Sequence, residues 1–390
     1  MKLQWLKLCF ALFIVFIIFI AYVCLRWRIL NQTLVLERVF YATKFDRTSL
    51  QPIPLILTWT TFFNYPWVQR IKQSLNDCPY HCMITDDRDQ LSEATAVLFH
   101  IRDLNNKLPE IRNSKQLFVF VLQESPQHTF NYLDFVKNDY FNITMTYRRD
   151  SDVYIPYGIV KKITDLTPRE QIWNWSEVME IASKKVRPVL QLVSNCNTGS
   201  KRELYVNQLR KYINITQHGL CNNSTCNEEC EIREAAQHRF YLAFENSICR
   251  DYITEKLFKS LLRLLIPVVL KKSIYEDILP PKSFIAADDF TSPRELAQYL
   301  QYLSNNKTAY LSYLEWTKHY EKTFAVNAYC ELCKYLHRNN AGPRIIPDIK
   351  KWWFQNCFYN YAIDLLEKPE TVMKKVKKIA NIDQRKMRKI

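Results

Sequence analysis

Glu245, Asn246, Arg250, Asp251, Tyr252, Glu255 and Lys256 crowd one short stretch, FYLAFENSICRDYITEK, residues 240–256. It opens as an apolar strand and closes as the first turn of a helix, EKLFKSLLRLL, in which Leu257, Leu261 and Leu264 recur at helical spacing. Asp251 and Thr254 both carry the side chain of an N-cap. Unpaired N–H groups and the dipole at such a helix start favour an anion, and Lys256 adds a positive charge. A second stretch has the same form: apolar QLVS, loop NCNTG, then SKRELYVNQLRKY with Lys201 and Arg202 in its first turn. Cations oppose the dipole there, so they need another reason for their place, and two cation-bearing helix starts on one crevice suit a diphosphate. Glu124 supplies a different chemistry. It follows the apolar run LFVFVL and precedes Ser125 and Pro126, which read as an N-cap and a first helical residue. Its carboxylate then sits at the carboxyl end of a strand, where a general base can meet a ligand.

The elements that must position these groups are legible as a repeating pattern. Apolar runs of strand length alternate with longer amphipathic stretches: PLILTWT (54–60), TAVLFHI (95–101), LFVFVL (117–122), RPVLQLVS (187–194), RFYLAF (239–244) and IPVVL (266–270). Continuous apolar strands separated by helical periods predict parallel sheets covered on both faces. The stretch 167–187 reads as a helix crossing between two such units. At 390 residues, with 48% apolar and 14% aromatic side chains, the chain is globular and long enough for two domains. The fold class is therefore α/β, with two Rossmann-like domains. Four glycines in the whole chain exclude a glycine-rich phosphate loop.

The N-terminus and the cysteines bear on the compartment. LCFALFIVFIIFIAYVCL, residues 8–25, has no charge and lies between Lys7 and Arg26. It is long enough to span about 30 Å of hydrocarbon, and longer than the ~7–15 apolar residues of a cleaved signal peptide. The expected organisation is a cytosolic tail (1–7), a transmembrane signal-anchor (8–25), a stem (26–50), an N-terminal domain (51–185), a C-terminal domain (186–365) and a basic tail (366–390). Asn-x-Ser/Thr sequons occur at Asn31, Asn142, Asn174, Asn214, Asn222, Asn223 and Asn306, a density that suits exposure to the secretory lumen. Of twelve cysteines, Cys9 and Cys24 fall in the anchor, leaving an even ten beyond it. Cys330-x-x-Cys333 with His337 is half of a zinc pattern, but no second pair has the matching spacing, so disulfides are the expected use. The formal charge of +15 does not imply nucleic acid: eight basic residues crowd the last twenty positions, and a lumenal chain meets none.

Together these segments resemble the α-1,3/α-1,4-fucosyltransferases, Golgi type II enzymes that move L-fucose from GDP-fucose to N-acetylglucosamine. FYLAFENSICRDYITEKL is similar to their donor-site signature, and SNCNTGSKRELY to their Ser-Asn-to-Arg segment. VLQESP, YFNITMTYRRDSDVYIPYG (140–158) and SFIAADDFTSPRELAQYL (283–300) resemble three further family blocks. The resemblance implies the GT-B architecture of two facing Rossmann-like domains, with the acceptor on the first and GDP-fucose on the second. It implies that Arg202 and Lys256 contact the diphosphate, that Asn246, Tyr252 and Glu255 line the donor site, and that Glu124 is the catalytic base; apart from the resemblance, His100 or Asp103 is the fallback base. It also implies bridges from Cys78 and Cys82 to Cys330 and Cys333, with the pairing open. No metal is expected to be required, manganese being at most stimulatory. Asp87-x-Asp89 and Asp150-x-Asp152 have the Asp-x-Asp form, but Tyr147-Arg148-Arg149 before Asp150 is not the apolar strand such ligands end. Asp288-Asp289 reads as a turn or a sugar contact. The acceptor stays open between the chitobiose core of N-glycans and an antennal N-acetyllactosamine-type unit. One departure concerns activity. Lys271 stands where the family has Gly after the PVV strand, and the preceding link is about one residue short, which leaves a catalytically weak glycan-binding Golgi protein as the alternative.

Overall fold

The computed structural model describes residues 52–109, 113–338 and 344–367, together with residues 20, 22, 23, 26 and 27, which are helical. The expected anchor, stem, basic tail, Cys9, Cys24 and Asn31 lie wholly or largely outside the described residues. Among the described residues, no helix is long and apolar enough to cross a membrane.

The described chain from residue 54 onward is one compact unit built on two sheets. In the first, β1 (Leu55–Thr58), β2 (Met83–Thr85), β3 (Ala96–His100), β4 (Leu117–Leu122), β5 (Ile143–Thr146) and β6 (Val153–Tyr154) run parallel in the order β2-β1-β3-β4-β5-β6. The helix α1 (Val68–Leu75) connects β1 to β2. The apolar runs form strands because both faces are covered. Leu57, Val97, Phe99, Phe118 and Phe120 enter one core, while Ile56, Leu98, Val119 and Val121 enter another, an alternation with the period of two that a strand imposes.

The helix α2 (Trp175–Lys184), capped by Asn174, leads into the second sheet. There β7 (Arg187–Leu192), β8 (Ile215–His218) and β9 (His238–Leu242) alternate with the helices α3 (Arg202–Leu209) and α4 (Glu228–Gln237). A short β10 (Ile248–Cys249) precedes α5 (Glu255–Leu262), and β11 (Ile266–Val269) and β12 (Ile285–Ala286) complete a parallel sheet of order β12-β11-β9-β7-β8. The helices α6 (Pro293–Asn305) and α7 (Lys307–Ser312) follow. Strands shorter than the apolar runs, such as β2, β6 and β8, had no sequence signal of their own. They are half-polar edge or near-edge strands, so they lack the continuous apolar pattern.

The chain then returns. In α8 (Ala328–Arg338), Leu332 and Leu336 pack with the first sheet's Ile56 and Val119; in α9 (Ile349–Phe354), Trp353 is buried with Phe120 and Tyr147. The stretch 328–354, grouped by sequence with the C-terminal domain, thus completes the first sheet's core. A short β13 (Cys357–Phe358) then pairs antiparallel with β10, and Tyr361, Ala362 and Leu365 rejoin the second core.

Ten cysteines are paired: Cys78–Cys330, Cys82–Cys333, Cys196–Cys221, Cys226–Cys230 and Cys249–Cys357. The first two pairs resolve the open connectivity and staple α8 onto the first sheet's helical layer. Cys82, Cys333 and His337 come close together, but both sulfurs are in the bridge, and the His337 ring meets the His81 carbonyl at 2.8 Å.

Candidate functional site

Both sheets reverse their strand order once: between β1 and β3 in the first, and between β7 and β9 in the second. Open parallel sheets bind ligands beyond the strand ends at such points. The segments 194–202 and 243–254 follow β7 and β9, and Glu124 follows β4.

Glu245 organises the second sheet's side of the crevice. Its carboxylate is 1% exposed, and its Oε1 accepts from Thr254 N at 2.8 Å and Thr254 Oγ1 at 2.7 Å. Its Oε2 forms an ion pair with Lys256 Nζ at 3.2 Å. Burial pushes the Glu245 carboxyl up, and Lys256 opposes that push. Burial also works against the charge on Lys256, but Glu245 and Glu255 outweigh it and hold the ammonium above the ordinary lysine range. Lys256 further meets Glu255 Oε1 at 3.1 Å and Thr254 Oγ1 at 2.9 Å. Glu255, exposed at the start of α5, resists its own partial desolvation and is held low by Lys256.

Arg202 is the first residue of α3 and only 4% exposed. Its guanidinium donates to the Phe244 carbonyl and, at 3.2 Å, to the Asn195 carbonyl, so the two strand-end segments are tied together through it. Burial lowers its pKa, and Glu245 is the largest counterweight. Arg202 in turn lowers the pKa of Lys256, so the two cations share one field. This is the reason, missing from the helix dipole, for a cation at that helix start. Lys201 precedes it in the left-handed region at φ 58° and turns outward to Asn197 at 2.7 Å.

The first sheet reaches the same place. The Tyr252 hydroxyl donates to Glu124 Oε2 at 3.4 Å, across 128 residues of sequence. Tyr252 is 2% exposed, and burial raises its pKa well above the ordinary phenol value, which keeps it a neutral donor. Ser125 Oγ meets Ser247 Oγ at 2.7 Å and His128 Nδ1 at 2.9 Å. Burial lowers the pKa of His128, against the pull of Glu124, and Arg102, Arg202 and Lys256 lower it further. Arg149 pairs with Asp251 at 2.9 Å and Arg250 with Asp150 at 3.3 Å, a crossed exchange between the two halves. Pockets of about 110 Å³ and 250 Å³ flank the cations, one lined by Leu192, Tyr241, Glu255 and Lys256, the other by Asn195, Arg202 and Glu203. The crevice thus sets Arg202 and Lys256 among the carboxylates of Glu245 and Glu255 on the second sheet's side, and Glu124 comes in from the opposite sheet.

Several sequence expectations change here. Thr254 alone caps α5; Asp251 sits in the left-handed region at φ 61° and is taken up by Arg149. Ser125 precedes only a single 3₁₀ turn, Pro126–His128, and its hydroxyl turns away from the helix end. Asn246 lies at the site, with its Oδ1 buried and unpartnered. His100 is buried, its Nδ1 meeting Asp103. Asp103 accepts from Thr61 Oγ1, Phe63 N and Asn64 N, so it holds the 61–64 loop and is a poor fallback base. Asp87 caps a 3₁₀ turn, while Asp150 is taken by Arg148 and Arg250 and Asp152 by Arg344 and Thr144, so both carboxylates of the second Asp-x-Asp pair are held in ion pairs. Asp288 accepts from Lys272 N and the Tyr361 hydroxyl, both at 2.9 Å, and Asp289 pairs with Lys272 at 3.2 Å, a turn anchor.

The sequons divide. Asn174, Asn214, Asn222 and Asn223 are exposed, and Asn306 is half-buried as a helix cap. Asn142 is a correction: it is 2% exposed, accepts from Phe118 N at 2.8 Å and donates to the Arg344 carbonyl at 2.8 Å, which leaves no room for a glycan in the folded chain. Lys271 itself has no need of a glycine's backbone freedom. Its φ of −127° is ordinary extended backbone, and its ammonium lies 4.7 Å and 4.9 Å from the rings of Phe358 and Tyr361. Leu264, just before the strand that Lys271 follows, is buried with φ 53°.

Sequence reasoning noticed Glu245 in the crowded turn without giving it a role. A carboxylate placed directly after an apolar strand was the available signal. It missed Gln127, His128 and Ser247, for which the sequence offers no period or motif.

Residues 51–158 match the family described as fucosyltransferase, N-terminal, and residues 182–352 match glycosyltransferase family 10 (fucosyltransferase), C-terminal. The chain is 35% identical over 360 residues to alpha-(1,3)-fucosyltransferase C of Drosophila melanogaster, covering 84% of each. It is 33% identical to alpha-(1,3)-fucosyltransferase fut-1 of Caenorhabditis elegans, covering 80% of this chain and 73% of the relative. It is 36% identical to 4-galactosyl-N-acetylglucosaminide 3-alpha-L-fucosyltransferase 9 of Mus musculus, covering 70% and 75%. A crystal structure of an alpha1,3-fucosyltransferase with GDP-fucose superposes with a TM-score of 0.50 at 16% identity, covering 77% of this chain and 95% of that one, a likeness of fold.

Proposed function

The chain belongs to glycosyltransferase family 10, the fucosyltransferases, and we propose that this enzyme transfers L-fucose from GDP-β-L-fucose to the 3-hydroxyl of N-acetylglucosamine in glycoprotein glycans, with inversion. The observation that carries the reading is the meeting of Glu124, on one sheet, with Tyr252 and the Arg202–Glu245–Lys256 group on the other.

Each group has a task in that reaction. As the acceptor oxygen attacks the anomeric carbon, the bond to the β-phosphate oxygen breaks and negative charge moves onto the departing GDP. Arg202, with N–H groups beyond its two carbonyl bonds, and Lys256, as a point charge, stabilise that charge. The acceptor hydroxyl must lose its proton on the face opposite the nucleotide, and Glu124 takes it. Tyr252 orients the Glu124 carboxylate, Glu245 holds Lys256 in place, and Asn246 and Glu255 line the donor side. With two cations on the diphosphate no divalent metal is required. Location follows from the same reading: a type II Golgi membrane protein anchored by residues 8–25, its catalytic part in the lumen. Ten paired cysteines support an oxidising compartment.

The test is direct. The full chain in detergent, given GDP-fucose and a panel holding N-glycan chitobiose cores and N-acetyllactosamine units, is expected to fucosylate one class, with or without EDTA. A folded chain that binds GDP yet fucosylates nothing overturns the reading in favour of a glycan-binding role. Activity abolished by EDTA and restored by manganese overturns the metal-free part alone.

A further inference from the structure

Gln127 lies in the turn Pro126–His128, three residues beyond Glu124, and its carboxamide is anomalous. Both Oε1 and Nε2 are buried, and neither has a hydrogen-bond partner. Buried amides are nearly always satisfied, so a doubly unpartnered one is an unusual object in a folded core. Its position is equally specific. The amide presses against the backbone of Gly199, in the loop that leads from Asn195 to Arg202. A Cβ placed on Gly199 would come 1.9 Å from Gln127 Oε1 and 2.8 Å from its Cδ. Gly199 has no positive φ to explain it, so the close approach of this amide is what a side chain there would obstruct. The same loop is bound to the far side of the crevice: Ser200 N donates to the Asn246 carbonyl at 2.9 Å and Ser200 Oγ to the Glu245 carbonyl at 2.7 Å. Asn246 Oδ1 is the next orphaned oxygen.

We propose that the Gln127 carboxamide is a specificity-determining contact for the donor sugar, hydrogen-bonding hydroxyls of the fucosyl ring; this rests on the function proposed above. The chemistry selects the ligand class. A phosphate or carboxylate would satisfy the N–H end and repel the carbonyl end. A sugar hydroxyl both donates and accepts, so a hydroxyl, or a vicinal pair, satisfies the two ends together. Position selects the donor over the acceptor. The sugar ring must lie between the cations that hold the diphosphate and the base that faces the anomeric carbon. Gln127 spans that interval, from the turn after Glu124 to the loop before Arg202. Acceptor hydroxyls offer the same chemistry, and the experiment separates the two sources.

Transfer by the full chain is measured with GDP-fucose, with its 2-, 3- and 4-deoxy analogues, and with acceptors lacking single hydroxyls, for the parent, Gln127→Met and Gly199→Ala. Transfer from GDP-fucose by the parent tests the function itself; the comparison of variants with analogues tests the role of Gln127. In the parent, at least one deoxy donor should lose about tenfold in kcat/KM, the usual worth of a neutral hydrogen bond. In Gln127→Met that penalty should vanish, GDP affinity should stay within twofold, and the melting temperature of the free protein should hold or rise, because an unpartnered buried amide has been replaced by an apolar group of similar size. Gly199→Ala, which displaces the amide without altering it, should mimic the donor effect. Persistence of every deoxy-donor penalty in both variants overturns the proposal. Loss of an acceptor-analogue penalty instead moves the amide to the acceptor and overturns the assignment to the donor. A lower melting temperature without any analogue-selective change makes Gln127 structural.

Discussion

Removing Lys256 should damage the free protein before it damages catalysis. Glu245 is 1% exposed, and Lys256 Nζ at 3.2 Å is the ion-pair partner of its Oε2, which has no other bond. Breaking a buried pair by deleting one member costs about 3–5 kcal/mol, because a charge is left uncompensated. At roughly 2 °C per kcal/mol for a chain of this size, Lys256→Met should melt about 6–10 °C below the parent at pH 7.5. The loss should be pH-dependent with a definite sign. A buried carboxylate has its folded pKa raised above the unfolded value, as that of Glu245 already is. It therefore costs the fold nothing at pH values below the unfolded pKa, and the cost grows as pH rises through the folded pKa. Without Lys256 the folded pKa climbs further, so the melting deficit should shrink steadily from pH 7.5 to pH 5. Adding Glu245→Gln keeps the oxygen that accepts from Thr254 and removes the charge, so the double variant should recover most of the lost melting temperature. It should not recover GDP affinity, because the ammonium proposed to meet the diphosphate is still absent; that loss is about 1.5–3 kcal/mol, or 10- to 100-fold. Scanning calorimetry at pH 5, 6 and 7.5, with calorimetric titration of GDP, measures both quantities on the parent, the single and the double variants. A Lys256→Met protein that melts with the parent at pH 7.5, or a double variant that regains GDP affinity, would refute the account of this pair.

Four further outcomes are expected. Glu124→Gln should bind GDP as the parent does while turnover falls by about 10²–10⁴-fold, and a folded variant within fivefold of the parent would send the search for the base elsewhere. Lys185 is fully buried, its Nζ donating to the Ala235 and Arg263 carbonyls, and burial pulls its pKa down to about 7. The unfolded chain therefore holds this proton more tightly, so stability should rise with pH above about 7, by up to ~1.4 kcal/mol per unit, and Lys185→Met should flatten the rise; equal slopes in the two proteins would discard the idea. Non-reducing peptide maps should show Cys78 with Cys330 and Cys82 with Cys333, the first long-loop closure alone being worth about 5 kcal/mol in the chain-entropy model, and free thiols at all four would contradict the fold's stapling. Glycopeptide mapping should find Asn142 unoccupied, and a glycan there would mean that β5 and its neighbours are packed differently.

What the sequence settled by itself was whatever depends on composition along the chain. LFVFVL and IPVVL are buried on both faces of a parallel sheet, so their pattern is continuous, and continuity is visible without a structure. Thr254, Glu255 and Lys256 sit within one helix turn, so their meeting at the start of α5 was legible too. The even count of ten cysteines beyond residue 25 pointed to pairing but not to partners, because Cys78 and Cys330 become neighbours only through the return of α8 to the first sheet. The sequon at Asn142 looked like its neighbours, and only burial beneath the Arg344 carbonyl distinguishes it. Glu245 needed tertiary structure for a different reason: its role is electrostatic, and a carboxylate becomes a counter-ion for Lys256 and Arg202 only once water has been removed from around all three. Gln127 is the extreme case. No local pattern marks it, since what sets it apart, a carboxamide with two empty hydrogen-bonding ends against Gly199, exists only where chain segments 72 residues apart close on the same space.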